Sequence, residues 1–372
     1  MPQNIFNFSA GPAALPQSVI DELPSRIIDF DRGMSILEIS HRSKKFKEYA
    51  ERCESTLRRI LDIPHDYEVL FLQGGATHQF TMIPQNLSDN GKADYLITGG
   101  WSKKAAAYAE HHTNVNIVSD STENNFTNIA EMSTWNVNTY SDYLFYCANE
   151  TVHGVEIHED ITRDDISDMP LVCDMSSNLC TRPINVNNFD LIFAGAQKNL
   201  GIAGLTIVIY RKDLLNFDIN TLPPEHPSRL DHLTPIMKYQ DHAFENSMLN
   251  TSPVFAWFVA GLVFEWIEEQ GGLTRMADLN KAKSQLLYDY IDQSNLYQNP
   301  VSLKYRSRVN IPFTLSLDNL DNEFLNMAEK SGLYNLKGHR TVGGMRASVY
   351  NSMPIEGVEK LISFMKEFEN RQ

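Results

Sequence analysis

Residues 190–210 read DLIFAGAQKNLGIAGLTIVIY. Two apolar runs, LIFAGA and LTIVIY, bracket one cation, Lys198, in a turn of Ala, Gly, Gln and Asn. Runs this continuously apolar belong to strands covered on both faces, and a loop lysine by default keeps its ammonium in water. Held at a strand end in a pocket, the same amine is partly desolvated, loses its proton more readily and can attack a carbonyl. On either side, from about residue 69, short apolar runs alternate with helical stretches: EVLFL, ADYLIT, VNIVS, DYLFYCA and PLVCD. That alternation predicts an α/β domain with a mostly parallel sheet covered by helices.

Other segments fill in the layers. SKKFKEYAERCESTLRRIL (43–61) carries Phe46, Tyr49, Cys53, Leu57 and Ile60 at helical spacing, an amphipathic helix. NTSPVFAWFVAGLVFEWIEEQGG offers Thr251 and Ser252 as caps, Pro253 at a first helical position and a Gly-Gly stop, so a long apolar helix is expected there. The last hundred residues mix helices with strand-like RVNIPFTLSL and MRASVY, a smaller α+β domain. The expected division is a large domain over 16–262 and a small one built from 1–15 and 263–372.

The chain has 372 residues, 42% of them hydrophobic, enough for a sizeable core. Its formal charge is −15, with 47 acidic against 32 basic residues, which argues against a nucleic-acid or anionic-membrane surface. Local clusters of Arg and His in so acidic a chain point to a small anion. Four scattered cysteines without CxxC suit free thiols in a reducing compartment. The start MPQNIFNFSAGPAALP lacks the basic and apolar regions of a secretory signal, and VFAWFVAGLVF (254–264) is too short to span a bilayer. A cytoplasmic location is expected.

Open α/β sheets bind ligands at the carboxyl ends of their strands. After EVLFL comes QGGATHQF (73–80), which reads either as a phosphate-binding helix start or as a tight strand-to-helix turn. It matches neither GxGxxG nor GxxxxGK[ST]. Asp174 ends PLVCD, where a carboxylate needs a cation or a hydrogen-bonding partner, or caps a loop. Trp101 follows YLITGG, as an aromatic plate or as packing. CANETVHG supplies Asn149, Glu150 and Thr151 after a further strand. A phosphate cradle, a plate, an acid and a nucleophilic lysine on successive strand ends are the set that pyridoxal phosphate needs.

The chain resembles the fold-type-I pyridoxal-phosphate enzymes, and among them the phosphoserine aminotransferase family of class V. The resemblance rests on FSAGPAALP, ISHRSKKF, LFLQGGAT, NETVHGVEI, AGAQKNLGIAGLTIVI, MLNTSPVFAWF, SRVNIPF and KGHRTVGGMRASVYN, which run nearly from end to end. It implies that Lys198 binds pyridoxal 5′-phosphate covalently, that Asp174 pairs with the ring nitrogen and that Trp101 stacks on the ring. Ala76, Thr77 and Gln197 would hold the cofactor phosphate, and Thr151 the ring hydroxyl. Asn250 and Thr251 would reach that phosphate from the partner subunit of a homodimer. The implied reaction converts 3-phosphohydroxypyruvate and L-glutamate into O-phospho-L-serine and 2-oxoglutarate, in serine biosynthesis. The family leaves 4-phosphohydroxythreonine of vitamin B6 synthesis open as a second substrate.

The substrates are multiply anionic, which suits the cations available. Arg346, after VGGM, has the fork for bidentate capture of an α-carboxylate. The pairs His41–Arg42 and His339–Arg340 would take the distal phosphate or the glutamate side-chain carboxylate, and Ser9 is carried over as a glutamate contact. One position departs: some members have an arginine after QGGA, where this chain has Thr77 and His78. His78 is the expected partial replacement, with phosphosubstrate binding weakening as pH rises through the histidine range. The rival readings are another fold-type-I reaction such as a lyase or desulfurase, and a non-catalytic regulatory module on the same fold. A metal site using EHH (110–112) or HGVEIH (153–158) lacks convincing ligand spacing.

Overall fold

The computed structural model describes residues 5–215, 229–317 and 319–372. All seven apolar runs become strands: β1 (Tyr67–Leu72), β2 (Lys92–Ile97), β3 (Asn114–Asp120), β4 (Leu144–Cys147), β5 (Leu171–Asp174), β6 (Leu191–Gly195) and β7 (Thr206–Arg211). They form one sheet in the order β1-β7-β6-β5-β4-β2-β3. Only β7 runs against its neighbours, pairing antiparallel with both β1 and β6.

The continuous apolarity has its reason in the two faces. Ile192 and Ala194 of β6 enter one core with Trp257, whereas Leu191 and Phe193 enter a second core with Phe80 and Phe145. Each fully buried Leu, Ile or Phe contributes about 1.5–3 kcal/mol, so neither face tolerates a polar side chain without a partner. The helices α3 (Gly75–Leu87) and α4 (Gly100–Ala109) cover the Phe193 face. On the other face lie α1 (Gln17–Ile28), α2 (Lys44–Leu61) and α5 (Val254–Glu269).

Ser43 caps α2 by accepting from Phe46 N–H (3.2 Å), and Phe46, Tyr49, Cys53 and Leu57 form its buried stripe. The start of α5 differs from the sequence expectation. Pro253 is the N-cap rather than the first helical residue, and neither Thr251 nor Ser252 caps the helix. The Ser252 hydroxyl is instead bonded to Ser247 O (3.0 Å). Gly271, in the left-handed region, separates α5 from α6 (Gly272–Gln293).

A third core holds the C-terminal part. Strands β8 (Tyr297–Gln298), β9 (Asn310–Leu315) and β10 (Met345–Ser348) pair antiparallel and pack under α7 (Ile355–Glu369). Phe8, from the N-terminal loop, joins this core, and α6 enters both cores through Leu273 and Met276 at one end and Leu287 and Ile291 at the other. No helix among the described residues is long and apolar enough to cross a membrane.

Candidate active site

The carboxyl ends of β1, β2, β4, β5 and β6 face one edge, where β9 and β10 adjoin the sheet. Lys198 lies in the connection from β6 to β7, its side chain partly open to the cleft. Its amine donates to Thr151 Oγ1 (2.6 Å) and sits 5.4 Å from the Trp101 ring centroid. Burial lowers the amine's pKa, opposed most strongly by the Asp174 carboxylate and then by Cys147 and Glu150. Asp174 Oδ1 accepts from Ser176 N–H (2.8 Å), and burial raises its pKa against the pull of Lys198. An acid and an amine each pushed toward neutrality by desolvation are the mark of a chemical site.

The N-terminal loop covers the lysine. A Cβ on Gly11 would lie 3.2 Å from Lys198 Cγ, a tight contact, and its φ of +147° favours glycine; Ala13 N–H donates to Gln197 O (2.9 Å). Ser9 belongs to this loop. Tyr350 ties it down by donating its hydroxyl to Ala10 O (2.8 Å), while Asn310 Nδ2 donates to the same hydroxyl (3.1 Å).

Arg346, on β10, reaches Thr151 O with Nη1 (3.4 Å), and its buried Nε has no partner among the described residues. Its surroundings are desolvating enough to lower the guanidinium pKa. A cation held this way is set for an anion that would complete its fork. His339 lies near enough to Arg346 for burial and then that charge to lower its pKa.

At the β1 end, α3 begins on Gly74 (φ +93) with no side-chain cap, leaving the backbone N–H groups near Ala76 and Thr77 free for an anion. The first turn of α4 is arranged oppositely. Glu150, fully buried, accepts from Trp101 N–H (2.9 Å), Ser102 N–H (2.8 Å) and Ser102 Oγ–H (2.7 Å). A Cβ on Gly99 would fall 2.3 Å from the Glu150 carboxyl carbon, so glycine is what lets the acid reach the helix end. His153 Nδ1 accepts from Gly100 N–H (3.3 Å) with its ring against Phe126, and burial, then His339, pushes its pKa down to about 4. One helix end is thus filled by the protein's own carboxylate and the other is left open.

The donor set fits pyridoxal phosphate: a desolvated amine, a buried acid at a neighbouring strand end, an aromatic plate beside the amine and an uncapped helix start. Lys198, Thr151, Trp101, Asp174, Gln197, Arg346 and the Ser9 loop gather at one cleft, with His339 at its edge. The pair His41–Arg42 does not join them within this chain. Arg42 Nε lies 3.2 Å from His41 Nε2, and Arg42 lines a separate cavity of about 670 Å³ with Phe71, Asn246, Met248 and Trp257. Arg340 and His339 border another, of about 770 Å³, with Asp321 and Lys337. Asn250 Nδ2 donates to Gln73 Oε1 (2.8 Å), and Thr251 O accepts from Gln73 Nε2 (2.7 Å), so both stand at the outer side of the Gly74 turn. His78 folds under that turn, lining a cavity of about 310 Å³ with Met82, His242 and Asn250. His78 therefore packs against Gly74 and shares its cavity with Asn250. Sequence reasoning also missed Glu150 as a helix cap, Tyr350 as an anchor of the loop, and Lys104, whose ammonium lies 3.4 Å from Thr77 Oγ1.

Comparison with known proteins agrees with this geometry. The family model for class-V aminotransferases matches residues 5–361. A phosphoserine aminotransferase from Nitrosomonas europaea is 47% identical over 99% of both chains. The solved phosphoserine aminotransferase of Bacillus circulans subsp. alkalophilus superposes with a TM-score of 0.92 at 37% identity, covering 99% of each chain. That of Trichomonas vaginalis, with pyridoxal phosphate bound, gives 0.89 at 37% identity over 98% of this chain and 100% of that one. An open, desolvated lysine site on this sheet, matched along the whole chain, places the protein in the phosphoserine aminotransferase family of class-V aminotransferases.

Proposed function

We propose that this chain transfers the amino group of L-glutamate to 3-phosphohydroxypyruvate, giving 2-oxoglutarate and O-phospho-L-serine in serine biosynthesis, with pyridoxal 5′-phosphate as cofactor. The observation that carries the reading is Lys198, a desolvated amine between Thr151 Oγ1 and the Trp101 ring, in a chain 47% identical throughout to a phosphoserine aminotransferase.

When bound, pyridoxal phosphate supplies an aldehyde that takes up the amino group and a ring that draws electrons from the substrate Cα. Lys198 would hold it covalently, Asp174 would keep the ring nitrogen protonated, Thr151 would contact the ring hydroxyl, and Trp101 would shield the ring from water. The free N–H groups at Ala76 and Thr77, with Gln197, take its phosphate. Arg346 grips the substrate α-carboxylate, which fixes Cα above the lysine. Once the substrate amino group has displaced it, Lys198 would be a free amine whose burial-lowered pKa gives it a larger neutral fraction with which to take the Cα proton of glutamate. In the second half-reaction it delivers a proton to Cα of the phosphorylated keto acid. His339, Arg340, His41 and Arg42 bind the distal phosphate or the glutamate side-chain carboxylate, and Ser9 contacts glutamate.

The distance of His41–Arg42 from this cleft favours a homodimer with shared sites. Arg42 lies beside Asn246 and Met248, on the stretch that continues to Asn250 and Thr251, so a single face would deliver all four residues to a second copy's site. Ile28, Leu37 and Phe244 are 75%, 61% and 85% exposed, as an interface requires. The four cysteines are buried free thiols, which suits the cytoplasm. A division into 16–262 against 1–15 with 263–372 is supported by Phe8 and Val19 entering different cores.

The test is steady-state turnover of glutamate with 3-phosphohydroxypyruvate, compared with unphosphorylated hydroxypyruvate. Strong preference for the phosphorylated acceptor supports the reading; equal use of both overturns the substrate assignment.

A further inference from the structure

The arginine that some family members place after QGGA is absent at Thr77, and His78 packs against Gly74 in a cavity with Met82 and His242. A cation nevertheless stands at that point. Lys104 follows Trp101 by one turn of α4, and its Nζ lies 3.4 Å from Thr77 Oγ1, the third residue of α3. Its ammonium is also 5.5 Å from the Trp101 ring centroid and 5.4 Å from that of Tyr108. Those two faces hold the stem in place, so little freedom remains to be lost on ligand binding.

Three features make a mere surface role a poor account. Lys104 is only partly exposed, in contrast to Lys103 beside it. In a chain with 47 acidic residues, it forms no ion pair among the described residues. The group nearest its charge is instead a hydroxyl at the uncapped start of α3, where the free backbone N–H groups already favour an anion. Glu150 fills the start of α4, leaving the α3 end beside Lys104 as the open one.

We propose that Lys104 is a phosphate-binding residue of this site, supplying from α4 the positive charge that position 77 lacks. The inference rests on the function proposed above. Two phosphate dianions belong to that chemistry, one on the cofactor and one on the substrate, and both would meet an ammonium at the Thr77 hydroxyl with the same charge-assisted hydrogen bond.

The test compares holoenzymes of Lys104→Met, which keeps the apolar stem over Trp101 and Tyr108, and Lys104→Arg, which keeps the charge. Three quantities are read: the cofactor dissociation constant from the visible band after dialysis, and KM for 3-phosphohydroxypyruvate and for glutamate. Loss of one charged contact is a change of about tenfold to a hundredfold. A rise of that size in KM for the phosphorylated acid alone assigns Lys104 to the substrate phosphate. The same rise in the cofactor dissociation constant assigns it to the cofactor phosphate. Either supports the proposal, with Lys104→Arg recovering most of the loss. No change in any of the three, or equal weakening of both substrates with a lowered melting temperature, overturns it. A wild-type enzyme that ignores 3-phosphohydroxypyruvate would remove the substrate reading, and the cofactor measurement would then decide Lys104 by itself.

Discussion

Replacing Glu150 by Gln tests how the plate beside Lys198 is held. The carboxylate takes Trp101 N–H on one oxygen and both Ser102 donors on the other. An amide of the same shape can accept on only one side, and in either orientation its NH₂ faces a backbone N–H. A donor left without an acceptor in a buried position costs about 1–3 kcal/mol. The loss of negative charge at a helix N-terminus adds about 0.3–1 kcal/mol. The expected destabilisation is therefore about 1–4 kcal/mol in urea unfolding of the cofactor-free protein. The first turn of α4 carries Trp101, so the same variant should bind the cofactor about tenfold more weakly, while Glu150→Asp, one methylene short, should not restore it. Stability within about 0.5 kcal/mol of wild type, together with unchanged cofactor affinity, would refute the assignment of Glu150 as the residue that positions Trp101.

Arg346→Lys replaces a fork by a point charge at a site where Nε already lacks a partner; kcat/KM for both glutamate and the keto acid should fall about tenfold to a hundredfold with the visible band retained. Less than a threefold loss would remove Arg346 from carboxylate binding. His41 and His339 are held below the ordinary histidine range, first by burial and then by Arg42 and Arg346 respectively. Their positive charge is thus present only toward acid, so KM for the phosphorylated acid should be flat from about pH 7 to 8.5 and tighten below about pH 6.5. A His41→Asn/His339→Asn double variant should lose that acid tightening, which separates it from titration of the substrate phosphate. Lys283 is buried on α6, donates to Tyr350 O (2.6 Å) and Met353 O (3.0 Å), and has its pKa lowered by burial to about 7. Between about pH 7 and 10.5 the unfolded chain binds the proton that the folded chain has shed, so this group makes stability rise with pH across that window. Urea unfolding should show a shallower rise in Lys283→Met than in wild type, Lys198 contributing in the same sense to both; equal slopes would contradict the assignment.

The strands were legible because a sheet covered on both sides leaves no room for polar alternation, as Leu191, Ile192, Phe193 and Ala194 illustrate. The reversed direction of β7 was not, since an apolar run carries no sign of its polarity. Pro253 was misplaced by one residue because the Ser252 hydroxyl is taken by Ser247 O, a partner no local pattern announces. At the site, Lys198, Asp174 and Thr151 were readable from their places at strand ends. Glu150 and Lys104 were not: a lysine on a helix reads as solvated surface, and the partners of Glu150 lie 48 and 49 residues away. The cavity that Arg42 shares with Phe71, Asn246 and Trp257 was not legible, because neighbours far apart in sequence meet only after folding.

The most direct measurement is the visible spectrum of the purified holoenzyme, titrated first with glutamate and then with 3-phosphohydroxypyruvate, beside Lys198→Ala. Wild type should be yellow, fade with glutamate and recover with the phosphorylated keto acid, while Lys198→Ala should form no lysine-linked band. A wild-type band that ignores both substrates, or a Lys198→Ala protein that completes both changes, would contradict the account.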